Sequence, residues 1–303
     1  VRRGEVRLGG EDASPLDNRL FFAMAVDQQI PIAIVKPRRH EIAYLEATFY
    51  LEQALAPAAA SGWAIRATAL SGDDLGAEPL SGYAVVFCVN LPALGPPARD
   101  RLRDYVSGGG RLVWIGGDNV EPAAYNTMNE AAGAQLLPVP LIDQRSATNR
   151  EAGDAESWHI GFLDADHPAL TRLTEPASLY QSVLVHKQVR FETPDGSSAS
   201  AGARVLARLD DGEPLLVERA VGSGRVLMWG TGVQLEWTNL PLKPLFLPLF
   251  TRLTFYLAGS QTDSSQIVAG SPLSVPLRST AAPGEMEIVR PSGESLRLPI
   301  DGA

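Results

Sequence analysis

Cysteine is nearly missing from this chain: Cys88 stands alone among 303 residues, which excludes an internal disulfide. The four histidines (His40, His159, His167 and His186) are scattered, so no zinc-binding spacing exists and no metal or other cofactor is expected. Positive charge is also scarce. Lys and Arg number 26 against 35 Asp and Glu, for a net charge of −9 and a pI near 5.0. Without a basic excess, neither nucleic acid nor an anionic lipid surface is expected as the main partner. The chain has no G-x-S-x-G or G-x-C-x-G, the turn that lifts a nucleophile out of a strand end. A membrane-spanning run is missing as well. The most apolar stretch, 242–258, carries Lys243, Arg252 and two prolines and is too short for a bilayer, so it suits a buried core helix. The first residue is not methionine, and the first eight residues already read as strand interior. The end, LRLPIDGA, stops just after a strand. The chain is therefore expected to be a fragment of a longer protein, with any signal or membrane segment outside it.

What is present is organised around residues 82–119, GYAVVFCVNLPALGPPARDRLRDYVSGGGRLVWIGGDN. An apolar β-branched run is followed by a turn-rich connection, a helix with Leu102, Tyr105 and Val106 on one side, a glycine stop and a second apolar run. This is a β-α-β unit whose continuous apolar strands suit a parallel sheet covered on both faces. Before it, 32–35 is a short strand and 40–59 a helix with Tyr44, Ala47, Leu51, Leu55 and Ala58 at helical spacing. Residues 63–69 form another strand, ended by Ser71-Gly72-Asp73-Asp74. A helix is expected over 121–132 with Asn126 and Asn129 on its wet side. The reading is a doubly wound α/β sheet. Residues 140–200 look irregular, with a mobile loop over 143–157. A β-meander follows (ARVLARL, PLLVERA, RVLMWG, joined by DDGE and GSG), then the core helix at 245–258 with Gly259 as its cap. Short strands at 1–28 and 261–303 read as the last strands of one β-sandwich and the first strands of another. They leave 29–260 as the α/β domain.

In an open α/β sheet, ligands bind beyond the C-terminal strand ends. Those ends carry Lys36 to Arg39, Asn90, and Gly116-Gly117-Asp118-Asn119. One reading is a small polar crevice walled by Asn90, Gly116, Gly117, Asp118 and Asn119, with Asp118 as a base or cation ligand. It suits a sugar-like or other small polar molecule. The other is a tight turn at the two glycines, with Asp118 capping the next segment. Gly108-Gly109-Gly110 follows a helix and opens a strand, the wrong polarity for a phosphate loop, so it is a helix stop. Cys88 comes before its strand ends and reads as a small core residue. His159 and His167 flank the expected mobile loop. Recruited to Asp118, either would make an unorthodox hydrolase site. Trp229 and Trp237 read as packing between the last meander strand and the core helix.

The succession DNRLFFAMAV, IAIVKP, EATFYLEQAL, YAVVFCVNLPAL, YVSGGGRLVWIGGDNVEPAAYN and then ARVLARLDDGEPLLVERAVGSGRVLMWGTGVQLEWTNLPLKPLFLPLFTRLTFYLAG resembles one family over about residues 15–260. It is similar to the soluble region of bacterial aerotolerance-regulator (BatA-type) membrane proteins, which have an N-terminal double-transmembrane segment. The resemblance implies a flavodoxin-like, class I glutamine-amidotransferase-like domain between β-sandwich modules, tethered to the inner membrane and facing the periplasm. True amidotransferases carry a cysteine at the strand-to-helix elbow and a histidine and glutamate downstream. Here the elbow falls near Ile115-Gly116-Gly117, without a cysteine. The resemblance thus implies a non-catalytic domain acting in protein assembly, with MoxR-type ATPases and von Willebrand factor A proteins as implied partners.

Overall fold

The computed structural model describes residues 2–7, 19–24, 29–37, 42–55, 65–131, 136–147, 157–194, 202–259, 285–289 and 295–299. The chain divides into two compact units: residues 1–24 with 262–303, and residues 25–261. The first unit opens with an antiparallel hairpin of β1 (Arg2–Arg7) and β2 (Arg19–Met24).

The second unit carries the α/β fold. In chain order it holds β3 (Ile30–Lys36), α1 (Phe49–Leu55), β4 (Ile65–Ser71), β5 (Val85–Val89), α2 (Pro96–Ser107), β6 (Arg111–Ile115) and α3 (Pro122–Ala131). There follow β7 (Leu141–Ser146), β8 (Trp158–Leu163), α4 (Ser178–Gln181), β9 (Leu184–Val185) and β10 (Lys187–Phe191). The meander strands β11 (Arg204–Leu209), β12 (Pro214–Val221) and β13 (Gly224–Trp229) lead into α5 (Phe246–Leu257). The remaining described strands, β14 (Glu285–Val289) and β15 (Ser295–Pro299), form a second hairpin in the first unit. The prolines of 261–284 and 291 and the turn EDASPLDN lie outside the described residues.

One mixed sheet of nine strands, in the order β4-β3-β5-β6-β13-β12-β11-β8-β9, forms the frame. Pairing is parallel from β4 through β13 and antiparallel beyond. The meander is thus welded to the parallel half along β6 and β13. Alternation along the strands divides the core by face. Val85, Phe87 and Val89 join Ile32, Ile34, Val113 and Ile115 beneath α1 and α5. Val86 and Cys88 join Ala33, Val35 and Leu112 beneath Leu102 and Val106 of α2. Trp114 and Met228 meet Tyr125 and Met128 of α3 on that same side. A run that is apolar at every position makes sense only for a strand covered twice.

Several expectations need correction. The helix expected over 40–59 is a short 3-10 turn (Ala43–Leu45) followed by α1, while 56–64 lies outside the described residues. Tyr44 is 60% exposed, whereas Ala47, Leu51 and Leu55 are buried as their spacing implied. The break falls where the buried Thr48 hydroxyl turns to the Glu52 carboxylate. Within 140–200 the described residues include four strands, β7 to β10, and the first part of the expected mobile loop is strand β7, while 195–200 lies outside the described residues. Ion pairs hold that strand, Asp143 to Arg190 and Arg145 to Asp211. The Arg190 guanidinium holds the Asp143 carboxyl below its ordinary range. Residues 148–156 of that loop lie outside the described residues. Asn129 is buried and Asn126 half-buried, and both bond backbone groups. Asn126 brackets Leu141, accepting from its N–H and donating to its carbonyl. Asn129, 6% exposed, accepts from the Leu137 N–H. Both side chains satisfy backbone groups that the segment after α3 would otherwise leave open. The core helix and its Gly259 cap (φ 64°) are as the sequence indicates.

Candidate strand-end site

The parallel strands bring their C-terminal ends to one rim. Asn90, the first residue beyond β5, has φ 51°, the single left-handed non-glycine among the described residues. Asparagine is among the few side-chain-bearing residues that accept this conformation at modest cost. Asn90 is 7% exposed, and its N–H donates to the Ile115 carbonyl at 2.9 Å. Its Oδ1 accepts from the Asn119 N–H at 2.7 Å, and Asn119 Nδ2 donates back to the Asn90 carbonyl at 3.1 Å. The reciprocal pair ties the end of β5 to the turn after β6.

The two glycines of that turn answer to space. A Cβ on Gly117 would sit 2.3 Å from the Asn90 side chain. A Cβ on Gly116 would sit 3.0 Å from Val189 Cγ2 and 3.4 Å from the Gly230 carbonyl oxygen. Neither glycine has a positive φ. The elbow read at 115–117 is therefore misplaced as a strained turn, because the strained conformation lies one strand earlier, at Asn90. We expect Asn90→Ala to cost about 1–3 kcal/mol, since it leaves the Asn119 N–H unpaired and puts a Cβ residue without a compensating bond at positive φ. Asn90→Gly should cost less, and urea unfolding of the two variants checks the order.

Asp118 reaches away from its own turn. Lys187 Nζ at the start of β10 donates to its Oδ1 at 3.1 Å, and Trp237 Nε1 donates to its Oδ2 at 3.0 Å. The ammonium also lies 5.6 Å from the centre of the Trp237 ring. Trp237 is fully buried, while Asp118 is half exposed. Gln144 of β7 completes the clamp, its Nε2 donating to the Gly117 carbonyl at 3.4 Å and to the Val120 carbonyl. An ammonium and an indole N–H, one on each oxygen, orient this carboxylate toward the fold.

At the end of β3, Lys36 is also committed. Its Nζ bonds Glu46 at 2.5 Å and Glu52 at 2.8 Å. Burial alone would lower its pKa, but the two carboxylates outweigh this and raise it. It is a fixed cation, not a nucleophilic amine. Arg38 and Arg39 lie outside the described residues.

The other reactive side chains lie apart from this rim. Cys88 is 3% exposed in the α2 side of the core, and burial pushes its thiol up to about 12, so it carries no thiolate at neutral pH. His159 hydrogen-bonds the Gln181 carbonyl through Nδ1. His167, 1% exposed, meets the Tyr256 ring edge to face and lies 3.6 Å from Glu218. Asp118 is held by Lys187 and Trp237, and the two imidazoles of the hydrolase reading have these other partners. His186, which the sequence did not single out, meets the Ser157 hydroxyl at 2.6 Å as a cross-strand neighbour, with its pKa lowered by burial. No group of three or more potential metal ligands occurs among the described residues.

The sequence indicated Asn90, Gly116, Gly117, Asp118 and Asn119, and the structure brings all five to one place. It missed Gln144, Lys187 and Trp237, which close the cluster. Trp229 packs on Phe250 of α5 as expected, but Trp237 joins the opposite core with Trp114, Val189 and Phe191.

No protein-family model matches the chain, and no curated protein matches it. Among solved structures it is similar to the cytoplasmic protein STM3548 from Salmonella typhimurium, at 15% identity and a TM-score of 0.56, over 75% of this chain and 98% of that one. The cytoplasmic protein STM1381 from Salmonella typhimurium LT2 gives 18% identity and a TM-score of 0.53, over 76% and 98%. A ThuA-like protein from Parabacteroides merdae gives 16% identity and a TM-score of 0.49, over 80% and 93%. At such identities the likeness to the two Salmonella proteins is one of fold, an α/β chain built on a large mixed sheet.

Proposed function

We propose that this chain is a non-catalytic, flavodoxin-like domain of the glutamine-amidotransferase type, and that it serves protein assembly in a membrane-anchored bacterial envelope protein. The observation that carries this reading is the identity of the residue at the strained strand end. Asn90 is an amide with no nucleophilic or acid–base capacity, and its side chain is spent on the Asn119 backbone. The surrounding groups support it, because Lys36 and Asp118 are each held by two internal partners. The order of segments over residues 15–260 supports the aerotolerance-regulator assignment, and through it an inner-membrane tether and partners of the MoxR-type ATPase and von Willebrand factor A classes. No helix among the described residues is long and apolar enough to cross a membrane, so on this reading none of them is the tether.

The test is reconstitution of the full-length protein with MoxR-type ATPase and von Willebrand factor A proteins from the same organism. A complex of defined stoichiometry is expected, with no turnover of glutamine, ester or glycoside substrates by the purified protein. Turnover that disappears in Asp118→Asn would overturn the reading, as would failure to associate with either partner class.

A further inference from the structure

The two edges of the nine-stranded sheet are finished differently. At one edge β9 is two residues long, and its outer side is occupied. Thr238 bridges Val185, Asn239 N–H and Thr238 Oγ1 donate to the Leu184 carbonyl, and Asn239 Oδ1 accepts from the Leu184 N–H. The other edge, β4, runs for seven residues in unbroken register with β3, from Ile30↔Ile65 to Lys36↔Ser71. It has no proline, no bulge and no lysine, and its only charge is Arg66. Arg66, Thr68 and Ala69 are exposed, and among the described residues nothing pairs with its outer side. Sheets normally protect an open edge by shortness, bulges, prolines or charged side chains, and of these β4 has Arg66 alone.

Its backbone polarity can be read residue by residue. Gly72 donates its N–H inward to the Lys36 carbonyl at 2.9 Å. Alternation then turns residues 66, 68 and 70 inward and leaves the N–H and C=O of Ile65, Ala67 and Ala69 facing out. We infer that β4 is an edge for pairing with a second copy of this chain, antiparallel about a two-fold axis at Thr68. Only outward-facing residues can form hydrogen-bonded pairs, and this axis sets Ala67 against the second copy's Ala69, and Ala69 against its Ala67. About four main-chain hydrogen bonds form between them. Thr68, whose N–H points inward, meets its own counterpart in the close non-hydrogen-bonded position, where a Thr–Thr pair is favourable. Arg66 falls opposite Leu70, so its aliphatic stem packs and no like charges face each other. The strand is self-complementary in hydrogen bonding, side-chain size and charge, the requirement for an isologous contact. The inference does not depend on the assembly role proposed above.

The test uses the full chain and three variants. Light scattering across a concentration series should give a dimer. Ala69→Pro removes a donor that the monomer does not use, at an edge position where proline is tolerated. It should leave the circular dichroism unchanged and give a monomer. Thr68→Cys should cross-link into a dimer on mild oxidation, since the paired Cα atoms come within the span of a disulfide. Arg66→Cys, which faces Leu70, should not. Buried Cys88 leaves the background clean. A monomeric parent without Thr68→Cys cross-linking overturns the proposal. So does a dimer that survives Ala69→Pro, or cross-linking by Arg66→Cys and not Thr68→Cys.

Discussion

Trp237→Ala is expected to lower stability by about 3–5 kcal/mol, the range for truncating a fully buried large aromatic. In thermal unfolding this is a fall in Tm on the order of 10 °C. Two losses combine. The ring occupies the core formed by Trp114, Val189 and Phe191, and a Cβ on Gly232 would lie within 2.7 Å of it, so the indole seats against bare backbone. Its Nε1–H also fixes the Asp118 carboxylate. Trp237→Phe separates the two, keeping most of the volume and removing the donor. It should cost only about 1 kcal/mol, because Asp118 is half exposed and water replaces the lost bond. Equal losses in the two variants would show that the hydrogen bond, and not the packing, carries Trp237.

The second large effect lies within the sheet, where β12 places Glu218 in the core. Glu218 is 6% exposed, with Arg225 Nη1 3.0 Å from Oε1 and His167 Nε2 3.6 Å from Oε2. Oε1 finds no aligned hydrogen bond, so the attraction to Arg225 is Coulombic. Burial by itself would raise the Glu218 pKa, but His167 and Arg225 outweigh it and hold the carboxyl below its ordinary 4.5. A depressed carboxyl contributes stability that is present above the unfolded pKa and is lost as pH falls through the folded one. Arg225→Met removes the compensating charge and leaves the carboxylate buried. We expect a loss of about 2–4 kcal/mol at neutral pH, discounted because Arg225 is about a third exposed. In this variant burial is opposed by His167 alone and the folded pKa rises. The deficit should therefore shrink on acidification, as protonation discharges the group. Adding Glu218→Gln should restore most of the loss at pH 7. A deficit that is flat with pH would show that packing of the arginine stem dominates.

How much of this was legible depends on the range over which each signal acts. The unit β5-α2-β6 could be read from residues 82–119 because every cue is local: β-branched runs, prolines opening α2, and glycines closing it. The same holds for β11 to β13, whose turns carry their own glycines at positive φ, Gly212 and Gly222. Strands β7 and β10 were not legible. They alternate charged and apolar residues weakly, their apolar members Leu141, Val189 and Phe191 enter a core assembled from distant segments, and their ion pairs span 47 and 66 positions of sequence, Asp143 with Arg190 and Arg145 with Asp211. A polar stretch with a distant partner looks like a loop until the partner is seen.

The strand-end cluster divides in the same way. The sequence by itself determined that polar groups and glycines gather at the ends of β5 and β6, because a β-α-β unit must deliver them there. It also determined that Cys88, inside a continuous apolar strand, is core. Only the tertiary structure decided that Asn90 holds the left-handed conformation, since that depends on the Asn119 amide that meets its side chain. Only the structure, too, committed Asp118 to Lys187 and Trp237, which lie 69 and 119 positions away. Periodicity and spacing carry the short-range constraints of the backbone, whereas the pairing of one charge with another is set by where the whole sheet brings them.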